Sequence, residues 1–361
     1  MKKKGTLLCL LFASLAVLTG CSQDSASKYV GEQITSMKEK DADTFSVILE
    51  DGKAASNKQF VLQFPEELTA PYQEFLQNSF KTIEFEVAKA KKKENGDYTV
   101  QITYTPLNIQ ETLTSDINKY ADTMETTDLT AEVTNLLSSL TGTLSDSPVY
   151  NKENISVLDV RQEENGYVIE PESLKTFLSQ ALYGYMTPYD AICEIMDARG
   201  ALLSYLDASF KGEVTQFAKY TDRTEEEALA WYEEDTFTPP SDLSEAYIPR
   251  YQEAMKNILK QSNYTVGVPR KDTGGFNYNI DVTVIPNNSL VDAVNEFEQG
   301  TYYSLEEASA GLVTTLEKYA TSPTYGEETV VQIPLNMATI LTSGEEDSEF
   351  ANLANTILPV P

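Results

Sequence analysis

The sequence has 361 residues and is strongly acidic, with 56 aspartates and glutamates against 27 lysines and arginines and a formal net charge of −29. Nucleic acids and anionic lipid surfaces attract clustered positive charge, so this balance argues against both as binding partners. The chain contains no histidine, which excludes Ser-His and Cys-His catalytic pairs and histidine-containing zinc sites.

The N-terminus has the layout of an export signal. Lys2, Lys3 and Lys4 precede an apolar run over residues 7–18 that only Ser14 interrupts. The run is too short to cross a bilayer as a permanent helix. We therefore predict a signal peptide over residues 1–20. Its removal takes away three of the 27 basic residues and none of the acidic ones, so the net charge falls from −29 to −32.

The segment Leu18-Thr19-Gly20-Cys21 follows directly and resembles the lipobox of bacterial lipoproteins, in which small residues precede a lipidated cysteine. The resemblance implies that Cys21 is the mature N-terminus and that the membrane is a partner through the lipid on Cys21. Stable anchoring needs two or more acyl chains, which such a modification supplies. Residues 21–28 are small and polar and predict a flexible lipidated tether. The alternative is an ordinary signal peptide with a chance cysteine.

Helices and short strands alternate in the first half. Apolar spacing predicts a helix over residues 28–49, interrupted at 41–43, and a second helix that starts between Pro65 and Pro71 and ends near Lys81. Further along the chain we predict strands at 83–87 and 98–104 around a turn at 94–97, a helix over 109–144 broken near 126–128 and capped again by Asp128, strands at 155–160 and 167–169, and a closing helix from 171 to about 182.

The second half repeats this alternation. We predict helices over 189–206, 211–220, 224–232, 251–260 and 290–319, and strands over 264–268, 276–285, 329–333 and 337–341. Helices and antiparallel hairpins in separate runs predict an α+β fold, with helices packed on one face of an antiparallel sheet.

The two halves also share residues in the same order. The matching blocks are Tyr72-Gln73-Glu74 with Tyr251-Gln252-Glu253, Asn78 and Lys81 with Asn257 and Lys260, Tyr98, Ile102 and Pro106 with Tyr278, Val282 and Pro286, and Ser147-Pro148-Val149-Tyr150 with Ser322-Pro323-Thr324-Tyr325. Blocks that recur in register indicate a duplicated unit. We predict a first repeat domain over residues 29–184 and a second over 185–361.

One segment suggests a fold family. Residues 211–220, which follow an apolar helix, resemble the small α+β domains related to nuclear transport factor 2-like and cystatin-like rolls, and residues 38–45 are a weaker version. Such domains are frequent in lipoproteins of Gram-positive bacteria. The resemblance implies a cystatin-like or nuclear transport factor 2-like roll with an inserted long helix, in an envelope protein, and it brings no catalytic residues.

Several side chains leave alternatives open. Cys193 is the cysteine that neither the signal nor the anchor uses, and its apolar helical neighbours predict a buried structural thiol, although a nucleophile is the other possibility. Three tyrosines occur at matching positions of both halves, and we interpret them as core residues, or alternatively as the lining of a ligand site. The pairs are Tyr72 and Tyr251, Tyr98 and Tyr278, and Tyr150 and Tyr325. Trp231 is interpreted as core packing, or alternatively as an exposed contact site.

Three functions remain open at this stage. The favoured hypothesis is a non-catalytic module, without cofactor or metal, that binds an extracytoplasmic ligand or envelope protein. The alternative is a carboxylate-dependent hydrolase of cell-wall or glycan polymers, which needs two carboxyl groups roughly 5 to 9.5 Å apart. The third is a spacer without a ligand.

Overall fold

The structure is a computed structural model that describes residues 22–272, 277–335 and 348–361. The chain forms two compact units. The first unit contains the described residues up to Ser56 together with Phe64–Ile117 and Val133–Pro188. The second contains Asn57–Gln63, Asn118–Glu132 and the described residues from Tyr189 onward. Elements of both classes, helix and antiparallel sheet, are present, and the α+β prediction is confirmed.

Two segments group differently from the predicted domains. Residues 57–63 and 118–132 lie inside the predicted first domain, but they belong to the second compact unit. Both are fixed by hydrogen bonds to that unit. The Asp197 carboxylate accepts from the backbone N–H groups of Val61 and Leu62 at 3.1 and 3.0 Å. The Arg270 guanidinium donates to the carbonyls of Ala121 and Met124 at 2.9 and 2.6 Å.

The described part of the chain begins with the α-helices α1 at Ser22–Glu39, α2 at Ser46–Gln59 and α3 at Thr69–Lys81. The prediction of a flexible tether over residues 21–28 differs from the structure, because α1 begins at Ser22. Ala26 is fully buried, and the Ser27 hydroxyl accepts from the Ala90 N–H at 2.7 Å. These contacts hold the segment against the first unit. Cys21 and the predicted signal peptide lie outside the described residues.

Helix α2 continues ten residues past the predicted end at residue 49. The second half of α2 is mostly polar, so apolar spacing does not predict it. Gly52 allows α2 to pack closely against residues 185 and 186, since an added Cβ would lie 2.6 Å from the Met186 Sδ and 2.8 Å from a Tyr185 ring carbon. The Tyr185 hydroxyl also donates to the Ile48 carbonyl at 2.9 Å.

The first sheet is antiparallel. Its strands are β1 at Phe85–Val87, β2 at Lys91–Lys92, β3 at Tyr98–Tyr104, β5 at Asn154–Glu163 and β6 at Gly166–Ile169. Their order is β1-β3-β5-β6, with β2 paired beside β3. Alternate residues of β3 are buried, as a strand with one covered face requires. Helix α1 and helix α6, at Pro171–Ala181, contact this sheet.

The connection between β3 and β5 is mostly helical. It contains β4 at Leu107–Asn108, α4 at Ile109–Thr123 and α5 at Leu129–Asp146, and β4 pairs in parallel with β7 at Leu182–Tyr183. The predicted break between the helices is confirmed. The Asp128 carboxylate accepts from the Ala131 N–H at 3.1 Å, which caps α5 as the sequence indicated.

The second unit begins with α7 at Thr187–Leu206, which passes directly into a π-helical turn at Asp207–Lys211. Gly212 ends this turn with φ +71°, a left-handed conformation that favours glycine. Helices α8 at Val214–Tyr220, α9 at Glu225–Thr236 and α10 at Ile248–Lys260 follow. Together they carry the chain to the second sheet.

The second sheet has β8 at Asn263–Val266, β9 at Arg270–Lys271, β10 at Tyr278–Ile285 and β11 at Thr329–Leu335. Its order is β11-β10-β8 with β9 paired beside β10, all antiparallel. Helix α13, at Ser348–Ile357, contacts β10 and β11. The predicted strand over residues 337–341 lies outside the described residues.

The predicted single helix over residues 290–319 is wrong. The structure has two helices there, α11 at Ser289–Glu298 and α12 at Leu305–Thr321. The Gly300 N–H donates to the Phe297 carbonyl at 3.0 Å, and the Ser304 hydroxyl accepts from the Glu307 N–H at 3.2 Å. A serine cap three residues before a glutamate starts a new helix, and the apolar spacing on both sides obscured the break.

The strands of the two sheets pair in the same register. The equivalent pairs are Phe85–Tyr104 with Tyr264–Val284, Lys92–Tyr98 with Lys271–Tyr278, Tyr98–Val160 with Tyr278–Leu335, and the isolated bridge Leu107–Tyr150 with Asn287–Tyr325. The matching sequence blocks are separated by 179, 180 and 175 residues in chain order. Adding these separations to the residue numbers of each pair in the first unit gives the corresponding pair in the second.

Candidate functional site

A cavity of about 590 Å³ lies within the second unit. It is formed along the last turns of α7, the π-helical turn and the start of α8, and it is closed by Leu62 and by the stretch from Thr127 to Leu129. Residues 57–63 and 118–132, which belong to the second unit although first-unit residues flank them in sequence, therefore contribute to the wall of the cavity. Small-molecule sites in proteins typically have volumes of roughly 300–1,000 Å³, so the cavity is of the right size for a ligand.

The wall is largely apolar. The apolar lining residues are Leu62, Leu129, Met196, Leu203 and Val214. Met196 is buried, whereas the others keep part of their surface exposed to solvent. An apolar ligand group in the cavity would cover the exposed parts of these side chains. Removing this apolar surface from water would stabilise the complex by about 25 cal/mol per Å².

Arg199 is the cationic residue of the lining. Its Nε donates to the Val266 carbonyl at 3.0 Å, which fixes the guanidinium at the end of β8. Burial lowers the pKa of Arg199 from its ordinary value, and the negative charge of Asp207 opposes this shift. Within the described part of the chain, no carboxylate forms an ion pair with Arg199.

Asp207 and Glu213 are the carboxylates of the lining. Asp207 Oδ1 accepts from the Lys211 ammonium and from the Tyr264 hydroxyl, both at 2.7 Å. Burial, and after it the hydrogen bond with Asp207, raises the pKa of Tyr264 well above its usual range. Asp207 is thus held in a local network, while Glu213 is exposed at the edge of the cavity.

Tyr220 and Asp197 organise the cavity floor. The Tyr220 hydroxyl donates to Asp197 at 2.9 Å, and burial followed by the charge of Asp197 raises the pKa of Tyr220. Gly200 lines the cavity here, and a Cβ at this position would overlap the Tyr220 hydroxyl. The same Asp197 carboxylate orients Leu62 through the backbone, so one buried group fixes both the floor and one wall.

The π-helical turn affects which side chains at the end of α7 and the start of α8 face the cavity. A π-turn inserts one extra residue into a helix and shifts the side chains that follow, and such turns occur frequently at functional sites. In this chain the turn carries Asp207 and Lys211 and leads through Gly212 into α8, whose first residue is Val214.

A second concavity, of about 400 Å³, lies in the first unit around the exposed ring of Tyr150. Its lining is polar and includes Asn78, Lys81 and Pro148. The Tyr150 hydroxyl donates to the Thr82 carbonyl at 2.8 Å. In the second unit the Tyr325 hydroxyl donates to the Gln261 carbonyl at 3.1 Å. Both carbonyls lie one residue past a helix, so these tyrosines have a structural role in helix termination.

The remaining sequence candidates lie mostly in the core. Tyr98 and Tyr278 are buried on the central strands, and Tyr72 is fully buried in α3, where its hydroxyl donates to the Tyr185 carbonyl at 2.9 Å. Trp231 is partly buried and packs on Phe217 with ring centroids 4.5 Å apart. These rings form core contacts and do not line the large cavity.

Cys193 is fully buried in α7. Its Sγ lies 3.5 Å from the Tyr189 hydroxyl and 3.9 Å from the Leu62 carbonyl. Burial raises the pKa of the Cys193 thiol to about 12, and the Tyr189 hydroxyl only partly offsets this. At neutral pH the thiol is therefore protonated and shielded, in contrast to a catalytic cysteine.

Sequence reasoning did not identify Arg199, Asp207 or Tyr220 as site residues. One signal was present, because Arg199 is the cationic residue of α7, in which the other charged residues are Asp190, Glu194 and Asp197. In the described ranges, no group of three or more cysteine, aspartate or glutamate side chains is placed to hold a metal ion. No helix among the same residues is long and apolar enough to cross a membrane.

Comparisons with known proteins give little similarity. No protein-family model matches the chain, and no curated protein is significantly similar to it. A crystal structure of the YcdA protein from Bacillus subtilis, described provisionally as a lipoprotein, aligns with a TM-score of 0.34 and 14% sequence identity. The alignment covers 76% of this chain and 96% of that one. A likeness this low does not establish a common fold.

Proposed function

We propose that the protein is a membrane-anchored extracytoplasmic lipoprotein whose second unit is a non-catalytic binding module. The observation that carries the binding role is the cavity of about 590 Å³, with an apolar wall and a few placed polar groups. Pockets of this composition are the usual hosts of small ligands. The nature of the fold alone would not support such a role, because one fold serves many functions.

The anchor rests on the sequence of the first 21 residues. A basic start, an apolar run of export length and small residues before Cys21 support lipidation of that thiol. We expect Cys21→Ser to abolish lipid labelling and either to release the protein from membranes or to leave it as an uncleaved, unlipidated precursor. Cys193→Ser is the matched control and should keep the lipid label. Lipid labelling of the Cys21→Ser variant would refute the anchor.

The two units are inferred to be copies of one ancestral domain. The equal strand registers and the equivalent hydrogen bonds of Tyr150 and Tyr325 support this inference. The large cavity lies in the second unit, and our proposal gives the binding role to that copy.

Three features favour binding over catalysis. The chain has no histidine, the Cys193 thiol is buried, and Asp207 is already engaged by Lys211 and Tyr264. The hydrolase alternative keeps one supporting observation, namely that Asp207 and Glu213 both line the cavity. It predicts release of reducing sugar from cell-wall glycan that Glu213→Gln abolishes, whereas the binding module predicts no release by either protein.

The binding role can be tested by closing the cavity. Anilinonaphthalene sulfonate, a fluorescent probe with an apolar aromatic body and one sulfonate, should bind the wild-type protein with enhanced fluorescence. Val214→Phe and Leu203→Phe place additional volume in the cavity and should abolish the enhancement. Val330→Phe is the control, since Val330 is 59% exposed on β11 and does not line the cavity. Equal fluorescence from all four proteins would contradict the proposal.

A further inference from the structure

The Arg199 guanidinium has unused hydrogen-bonding capacity inside the cavity. Its Nε donates a hydrogen bond to the Val266 carbonyl, whereas neither Nη atom has a hydrogen-bond partner in the described part of the chain. The negative charge of Asp207 acts on Arg199, but Lys211 and Tyr264 already engage that carboxylate. An arginine fixed at one nitrogen and open at the other two is prepared to bind a planar anion.

The partial burial of this cation is unfavourable without a counter-ion. A charge that loses hydration needs a partner, and a carboxylate can accept two parallel hydrogen bonds from the outer nitrogens of a guanidinium. Arginine suits this geometry better than lysine, because its donors form a rigid planar fork. A carboxylate on a bound ligand would therefore compensate for the hydration that Arg199 loses through burial.

The surroundings of Arg199 restrict the rest of the ligand. Leu62, Leu129 and Leu203 line the same cavity and keep part of their surface exposed, so a hydrocarbon group next to the carboxylate would cover them. Asp207 and Glu213 also line the cavity, and their negative charges disfavour a second anionic group on the ligand. This balance favours a single carboxylate over phosphates and dicarboxylates.

We propose that the cavity binds a monoanionic ligand that consists of one carboxylate on an apolar body, with the carboxylate on the outer nitrogens of Arg199 and the apolar body on the leucine wall. This inference rests on the proposed binding function and specifies its ligand class. The same chemistry occurs in a medium-chain fatty acid and in the free C-terminus of a short apolar peptide.

The test compares neutral and anionic forms of the same body. Octanoate, octanamide and octanedioate are titrated into the full-length protein by calorimetry. We expect octanoate to bind at least about tenfold more tightly than octanamide, as one charge-assisted hydrogen-bond pair would produce. We also expect octanedioate to bind more weakly than octanoate, and Glu213→Gln to reduce that difference. Equal binding of octanoate and octanamide to the wild-type protein would overturn the inference without the need for any variant.

Variants of Arg199 locate the effect. Arg199→Gln should remove the preference for octanoate over octanamide, and Arg199→Lys, which keeps the charge, should retain part of it. A preference that persists in Arg199→Gln would contradict the inference. N-acetyl-trileucine with a free or an amidated C-terminus is titrated in parallel. The blocked amino group leaves one negative charge on the free acid, and its affinity relative to octanoate shows whether a peptide or a fatty-acid body fits the cavity better.

The two levels of the proposal fail in different ways. If anilinonaphthalene sulfonate binds in a manner sensitive to Val214→Phe but no carboxylate is preferred, the ligand class is wrong and the binding role stands. If neither the fluorescent probe nor octanoate binds, the binding role itself is wrong.

Discussion

At the scale of single residues, Cys193 illustrates how burial sets reactivity. The thiol is fully buried beside Tyr189, and its pKa is raised to about 12 from an ordinary value of 9.0. The folded protein therefore holds this proton at alkaline pH values where an unfolded chain releases it. Stability from this group is complete below pH 9 and is lost as the pH rises toward about 12.

We predict a specific pH dependence for Cys193→Ala. At neutral pH the variant should be less stable than the wild type, because a buried side chain loses contacts. Between pH 9 and 12 the difference in the free energy of unfolding should shrink by up to about 1.4 kcal/mol per pH unit, since only the wild type has the thiol to titrate. Urea unfolding of both proteins measures this, and parallel pH profiles would contradict the assigned burial.

At the scale of elements, Asp197 joins three parts of the second unit. Its carboxylate accepts from Val61 and Leu62 at the end of the segment after α2 and from Tyr220 at the end of α8. Hydrogen bonds to a charged group contribute about 1.5–3 kcal/mol each. One side chain of α7 thereby positions a wall and the floor of the cavity.

We expect Asp197→Ala to lower the free energy of unfolding by about 3 kcal/mol or more, because two backbone N–H groups and a buried hydroxyl lose their acceptor. Any variant protein that folds should also lose binding of the fluorescent probe. Asp242→Ala, which removes an exposed carboxylate, is the control and should change neither property. Wild-type stability in Asp197→Ala would show that the segment is held by other contacts.

The helix ends of the two units allow a paired prediction. Tyr150→Phe and Tyr325→Phe each remove one hydroxyl that donates to the carbonyl after α3 or α10. We predict that each lowers the free energy of unfolding by about 0.5–1 kcal/mol. Tyr303→Phe should have no effect, since Tyr303 is 87% exposed and its hydroxyl takes part in no hydrogen bond with a described residue. Unequal losses for Tyr150 and Tyr325 would argue against equivalent roles.

The elements show what the sequence could and could not predict. Alternation over β3 and β10 and the cap at Asp128 are local signals, and the structure has those elements as predicted. The end of α2 and the break before α12 were missed, because a polar helix half and a continuous apolar spacing conceal boundaries. The cavity was missed for a different reason. Asp197 and Val61 are 136 residues apart in the chain, and no local pattern reports such a contact.

At the scale of the whole molecule, the chain combines a strongly acidic composition with two units of matching sheet register. The first unit contributes a polar cleft around Tyr150, and the second contains the apolar cavity with Arg199. A lipid on Cys21 would place both outside the cell membrane, where the ligand would be met. We therefore propose that the N-terminus attaches the protein to the membrane and that the second unit recognises the ligand.

Hydrogen exchange with and without the fluorescent probe tests this assignment most directly, because it locates the binding site along the chain. With anilinonaphthalene sulfonate bound, we predict slower exchange in peptides that cover residues 196–220, at the end of α7, the π-helical turn and α8. Exchange in β3 and β5 of the first unit should not change, and Val214→Phe should remove the protection. Protection confined to the first unit, or no protection anywhere, would contradict the account.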